Sequence, residues 1–110
     1  HVQVLSSLFV ANDKIYSRVV MECYAHNGRT DKFKTGLSKV KNGLNPVYRD
    51  NLFNLSKNIS HLHFSVCDKG DAVIAQRVIS IDGVKSGYRH IALLTPTGQP
   101  SNTSIFLYLT

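Results

Sequence analysis

Apolar residues recur at every second position through most of this chain, and the 3.6-residue spacing of an amphipathic helix is nearly absent. His1 to Leu5 reads as a first strand with Val2 and Val4 turned inward. Between Ile15 and Tyr24 the odd positions Ile15, Val19, Met21 and Cys23 face a core, while Arg18, Glu22 and Tyr24 face out. Lys32 to Leu37 predicts another strand, with Phe33 and Leu37 inside and Lys32 and Lys34 outside. Leu62, Phe64 and Val66 then alternate with His61, His63 and Ser65. Val73 to Ile81 is a longer, mixed strand, buried on both faces or bulged. Ile91 and Leu93, then Ile105, Leu107 and Leu109, supply the last two core stripes.

Turn chemistry separates these runs: His26-Asn27-Gly28, Asn42-Gly43, Asn45-Pro46, Asp68-Lys69-Gly70-Asp71, Ser86-Gly87 and Thr95-Pro96-Thr97-Gly98. Seven or eight short strands at this spacing predict an all-β sandwich. No linker, repeat or low-complexity tract interrupts them, so 1–110 reads as one domain.

Composition narrows the function classes. A chain of 110 residues buries roughly two-thirds of its surface on folding, enough for one core layer between two sheets. Its 43% hydrophobic and 18% charged content excludes a disordered tail. No run approaches the roughly 20 apolar residues that cross a bilayer. With neither an initiator Met nor a signal peptide in view, the chain reads as excised from something longer. The formal charge of +6 favours anionic partners (lipid headgroups, nucleic acid or an acidic protein face) without choosing among them. Cys23 and Cys67 both fall in strand segments and are expected to be reduced. The absence of Trp argues against an immunoglobulin domain.

Candidate chemistry is sparse. There is no nucleophile elbow, phosphate-binding loop or zinc spacing. His61 and His63 share one strand face at a chelating distance in sequence, but no third ligand lies near them, and they read as exposed strand residues. His26 and His90 stand beside turns; His90 is expected to pack or to hydrogen-bond. Asp68 and Asp71 are weak calcium candidates, since a hard cation wants six to eight oxygens and two carboxylates are too few. Arg29, Lys32, Lys34, Lys39 and Lys41 cluster within a short stretch and are candidates for a positive patch on lipid headgroups. The plain alternative is a solvated strand face whose lysines deter edge pairing. Three glycosylation sequons, at Asn54, Asn58 and Asn102, are read as coincidental.

Several segments resemble one family over nearly the whole chain. Asn42-Gly43-Leu44-Asn45-Pro46-Val47-Tyr48, followed by Leu52-Phe53, is similar to the NGxNPVW…F signature of C2 domains in phosphoinositide-specific phospholipases C, with Tyr48 where the family usually has Trp. Leu62-His63-Phe64-Ser65-Val66-Cys67-Asp68 resembles the family's LRFxVxD strand. Gly87-Tyr88-Arg89-His90-Ile91-Ala92-Leu93-Leu94 resembles its GYRHxxL strand, and Ser104-Ile105-Phe106-Leu107-Tyr108-Leu109 its closing strand. Ala72-Val73-Ile74-Ala75-Gln76-Arg77-Val78-Ile79 looks most like the epsilon isoform or a relative.

The resemblance implies an eight-stranded antiparallel sandwich of the permuted, type II C2 kind. Such a domain lies beyond a catalytic barrel that hydrolyses phosphatidylinositol 4,5-bisphosphate in intracellular signalling. No catalytic residue carries over, so the domain by itself is expected to be no enzyme and to hold no cofactor. The implied partners are the barrel of the same chain, an anionic membrane surface and, as an alternative, a small GTPase or another domain; nucleic acid is not among them. The implied location is cytoplasmic, at the membrane periphery. Calcium-binding relatives begin the second strand with Asp-Pro-Tyr-Val, whereas this chain has Tyr16-Ser17-Arg18-Val19. The preceding loop keeps only Asp13 as an acid, so a tight calcium site is not expected.

Overall fold

The computed structural model describes residues 1–8, 10, 15–38, 43–55, 58–81 and 85–110. Its strands in chain order are β1 (Val2–Leu8), β2 (Ser17–Ala25), β3 (Thr30–Lys34), β4 (Leu52–Phe53), β5 (Ile59–Asp68), β6 (Val73–Ser80), β7 (Gly87–Leu94) and β8 (Pro100–Leu109). Every strand pairing is antiparallel, and the hydrogen-bonded order is β3-β2-β5-β6-β7-β8-β1-β4.

That order folds into two stacked halves because its middle is barely joined. β6 and β7 pair only at Gln76 and Leu94, so β3-β2-β5-β6 and β7-β8-β1-β4 face each other as two sheets. At the opposite side the two end strands meet through side chains: Phe33 of β3 stacks on Phe53 of β4 with ring centroids 5.4 Å apart. Such a pair contributes about 0.5–1.5 kcal/mol beyond its buried area. The first and last strands, β1 and β8, are neighbours, as the permuted C2 arrangement requires.

The alternation read from the sequence supplies the interior. Val19, Met21 and Cys23 from β2, Leu62, Phe64 and Val66 from β5, and Ala75 from β6 meet Val2, Val4, Leu93, Ile105 and Leu107 across the sandwich. Burying each of the larger aliphatic side chains contributes about 1.5–3 kcal/mol.

The structure departs from the sequence expectation at two strands, and at a third it decides between two readings. β1 runs on to Leu8, with a register shift between Val4 and Ser6 that turns Ser7 into the core in place of an apolar residue. β3 stops at Lys34, and Leu37 lies beyond it, half-buried. β6 is bulged opposite Val66 and Cys67 but is not buried on both faces: Ala75 is its only fully buried residue, and Val73, Arg77 and Val78 are exposed. The reason is its place at the open side of its sheet, where among the described residues no strand continues the ladder beyond Gln76.

Candidate functional site

The outer face of the first sheet carries the sequence-predicted cations. The hairpin joining β2 and β3 turns through His26, Asn27 and Gly28, with Gly28 at φ 84, a conformation a side chain resists. The β2–β3 register then sets Lys32 opposite Glu22 and Lys34 opposite Val20. Continuing across the sheet, Glu22 faces His63 and His63 faces Val78; Val20 faces Ser65 and Ser65 faces Gln76. Both lysines are exposed, while Val20 and Ser65 are buried beneath the longer side chains around them.

Only part of the predicted cluster is assembled here. Arg29 turns to Asp31, with Nη2 to Oδ1 at 3.5 Å, so its charge is partly answered within the hairpin. Lys39 and Lys41 lie outside the described residues, as does Asp13. Among the described residues neither Lys32 nor Lys34 forms an ion pair. What the structure brings together is therefore a two-lysine edge, Lys32 and Lys34 on one face of the outermost strand.

Beside it lies a polar group that sequence spacing did not reveal. Glu22 Oε1 stands 4.0 Å from His63 Nδ1, and Tyr24 Oη donates to Glu22 Oε2 at 3.1 Å. That acceptor, negatively charged, pushes the Tyr24 phenol above its ordinary range. His63 Nε2 lies 3.1 Å from Gln76 Oε1. Only the strand register could have disclosed this group, since its members come from β2, β5 and β6. His61 is bonded instead to its neighbour, Nδ1 to Ser60 Oγ at 2.9 Å. Among the described residues no group of three or more His, Cys, Asp or Glu is placed to hold a metal. His90 does form a hydrogen bond, Nε2 to Ser104 Oγ at 2.8 Å.

Asp68 and Asp71 are engaged in making their own turn. Asp68 Oδ1 accepts the Ala72 N–H at 3.0 Å, and the Asp68 carbonyl accepts the Asp71 N–H at 3.0 Å. Asp71, at φ 65, turns Oδ1 to within 3.8 Å of Arg18 Nε. The Arg18 Nε atom is itself buried and lacks a hydrogen-bond partner among the described residues. Arg49, Asp50 and Lys69 line a shallow depression together with Tyr16, Gly36, Leu37 and Ser38.

The cysteines are buried and free. Burial, with Asp31 adding a smaller push, raises the Cys23 thiol to about 11. Burial also raises Cys67, followed by Asp71 and Asp68, against a lowering by Arg18 and Lys32. Both stay as thiols at neutral pH, which removes the thiolate that nucleophilic chemistry would need.

At the sandwich end where β2 begins, Tyr48 fills the interior. Its hydroxyl donates to Ser7 Oγ at 2.8 Å and lies 3.0 Å from Ser17 Oγ. The register shift in β1 is what delivers Ser7 to this point.

Known proteins share the sequence pattern and the fold of this chain. No family model matches the chain. It is 34% identical over 105 residues to 1-phosphatidylinositol 4,5-bisphosphate phosphodiesterase beta-4 of Bos taurus, covering 90% of this chain and 10% of that protein. It is 31% identical over 105 residues to the 1-phosphatidylinositol 4,5-bisphosphate phosphodiesterase of Drosophila melanogaster, again covering 90% and 10%. Among solved structures, L. pealei PLC21 superposes with a TM-score of 0.82 at 30% identity, over 99% of this chain and 15% of that one. The chain thus spans about a tenth of the length of the curated relatives it matches. The Bos taurus relative carries the designation beta-4, which does not address the epsilon-like reading of 72–79.

Proposed function

We propose that this chain, a non-catalytic C2 domain of the phosphoinositide-specific phospholipase C kind, serves its parent enzyme as a calcium-independent membrane and packing module. In this reading the domain is one part of a longer chain whose barrel hydrolyses phosphatidylinositol 4,5-bisphosphate, and it works in the cytoplasm at the membrane periphery. Lys32 and Lys34 carry the proposal: both are exposed on one face of an edge strand, and neither is neutralised by an ion pair among the described residues. Each such charge close to an anionic leaflet contributes about 1 kcal/mol, screened by salt. Lys39 and Lys41 extend the patch in sequence.

The opposite outer face suits packing against protein. There Tyr88 stacks on Phe106 with centroids 5.5 Å apart and meets Tyr108 in a tilted pair at 4.7 Å, and Leu52 is also exposed. Aromatic contact surface of this kind is what interfaces use. It favours the barrel of the parent chain as occupant, and a small GTPase or another domain as the second reading.

Replacing Lys32, Lys34, Lys39 and Lys41 with Glu should lower sedimentation with phosphatidylserine vesicles at least about tenfold in ~0.1 M salt, and the difference should shrink as salt rises. Unchanged vesicle binding would remove the membrane role and leave the packing role. Heat-of-binding measurements with lipid-free protein partners separate the second reading from the first.

A further inference from the structure

The junction between the two sheets is open on one side. β6 keeps β5 and β7 keeps β8 along their lengths, yet among the described residues the ladder between β6 and β7 has only the pair Gln76 and Leu94. Past that pair the strands part as the sheets stack instead of continuing. Arg77, opposite Phe64 in the ladder and so on the core side of its sheet, is exposed at the parting. It reaches across, and Nη1 donates to the Ala92 carbonyl at 3.1 Å.

Beyond Arg77 lies a cleft of about 400 Å³. Ile79, Ile91 and Leu109 are its aliphatic lining, and Ser80, Lys85 and Arg89 are polar residues at its boundary. A narrower hollow shares Ile79, Lys85 and Leu109 with it and continues to Leu55, Leu62 and Ile81. The His90 ring is engaged by Ser104. Arg89 is held in place by backbone carbonyls, Nη1 donating to Tyr88 and Nη2 to Lys85, both at 2.7 Å. Gly87, at φ 126, allows the chain to turn beside that guanidinium. Among the described residues Arg77, Lys85 and Arg89 form no ion pair.

We infer that this seam binds a single-chain lipid phosphate, its acyl chain between Ile79 and Ile91 and its phosphate beside Lys85 and Arg89. Two cations that line an aliphatic cleft, Lys85 and Arg89, and that form no ion pair among the described residues are complementary to a molecule that is anionic at one end and apolar at the other. The hollow carries the aliphatic lining on to Leu55 and Ile81, both half-buried, which suits an unbranched hydrocarbon. The seam involves none of the Lys32–Lys34 face, so it stands whether or not that face meets a membrane.

The test is calorimetric titration of the 110-residue chain with oleoyl lysophosphatidic acid below its micelle concentration. Saturable binding is expected, with glycerol 3-phosphate, the headgroup alone, at least about a hundredfold weaker. Lys85→Glu, at an exposed position that should leave folding intact, should weaken binding about tenfold. The pair Lys32→Glu and Lys34→Glu should leave it unchanged. Absence of saturable binding overturns the proposal. So does equal binding of zwitterionic oleoyl lysophosphatidylcholine, or insensitivity to Lys85→Glu.

Discussion

Tyr48→Phe removes one oxygen from a site closed to solvent. Tyr48 is 2% exposed, and its two partners Ser7 and Ser17 are both 0% exposed. Burial raises the phenol above its ordinary range although both serine hydroxyls pull it down, so the neutral, hydrogen-bonded hydroxyl is the species the fold holds. Deleting it leaves Ser7 Oγ and Ser17 Oγ short of a partner. A buried polar group left unsatisfied costs about 1–3 kcal/mol. Rotation of one serine hydroxyl recovers part of that, so about 2 kcal/mol is expected, or a fall in Tm on the order of 10 °C for a domain of this size. Urea unfolding followed by far-ultraviolet circular dichroism measures it, since the chain has no Trp to report by fluorescence. The diagnostic is the triple variant Ser7→Ala, Ser17→Ala, Tyr48→Phe. With all three polar groups gone nothing is left unsatisfied, and it should lose much less than the three single losses added together. Tyr48→Trp, which restores the residue usual in the resembled motif, should also destabilise: a larger ring enters a filled core, and an indole donates but does not accept. A Tyr48→Phe protein within about 0.5 kcal/mol of the parent, or strict additivity in the triple variant, would refute the reasoning.

Stability should decline in alkali. The Cys23 thiol sits at about 11 in the fold against an ordinary 9.0. Below pH 9 both states hold the proton; between 9 and 11 only the unfolded chain releases it, so stability falls through that window by about 2–3 kcal/mol. Cys67 and Tyr48 shift in the same direction, and Cys23→Ala should shorten the decline without abolishing it, as read from urea midpoints across pH. Calcium should leave the melting temperature unchanged at 1 mM, because Asp68 and Asp71 are engaged by their turn and by Arg18. A site with a dissociation constant of ~10 μM would instead stabilise by about 2.7 kcal/mol, a shift that differential scanning calorimetry would register at once.

The period-two pattern by itself determined that this chain builds strands, and it named most of the side chains they bury: Val19, Met21, Phe64, Ile105 and Leu107 are where alternation put them. It also placed Lys32 and Lys34 on one outward face, because adjacent inward and outward positions are a local property of an extended backbone. Motif order was enough to indicate the family, whose relatives then matched across the chain. Which strands become neighbours is not local. The approach of Glu22 to His63, the turning of Arg29 to Asp31 and of Arg18 to Asp71, and the meeting of Tyr48 with Ser7 and Ser17 all depend on register, bulges or turn geometry. For β6 the composition left two readings open, burial on both faces or a bulge; the strand is bulged and partly exposed, since the sheets part beside it. The cleft between Ile79 and Ile91 exists for that same reason. Alternation tells a residue which side it faces; only the closed sandwich decides what stands opposite, because pairing energy is shared between segments far apart in the chain.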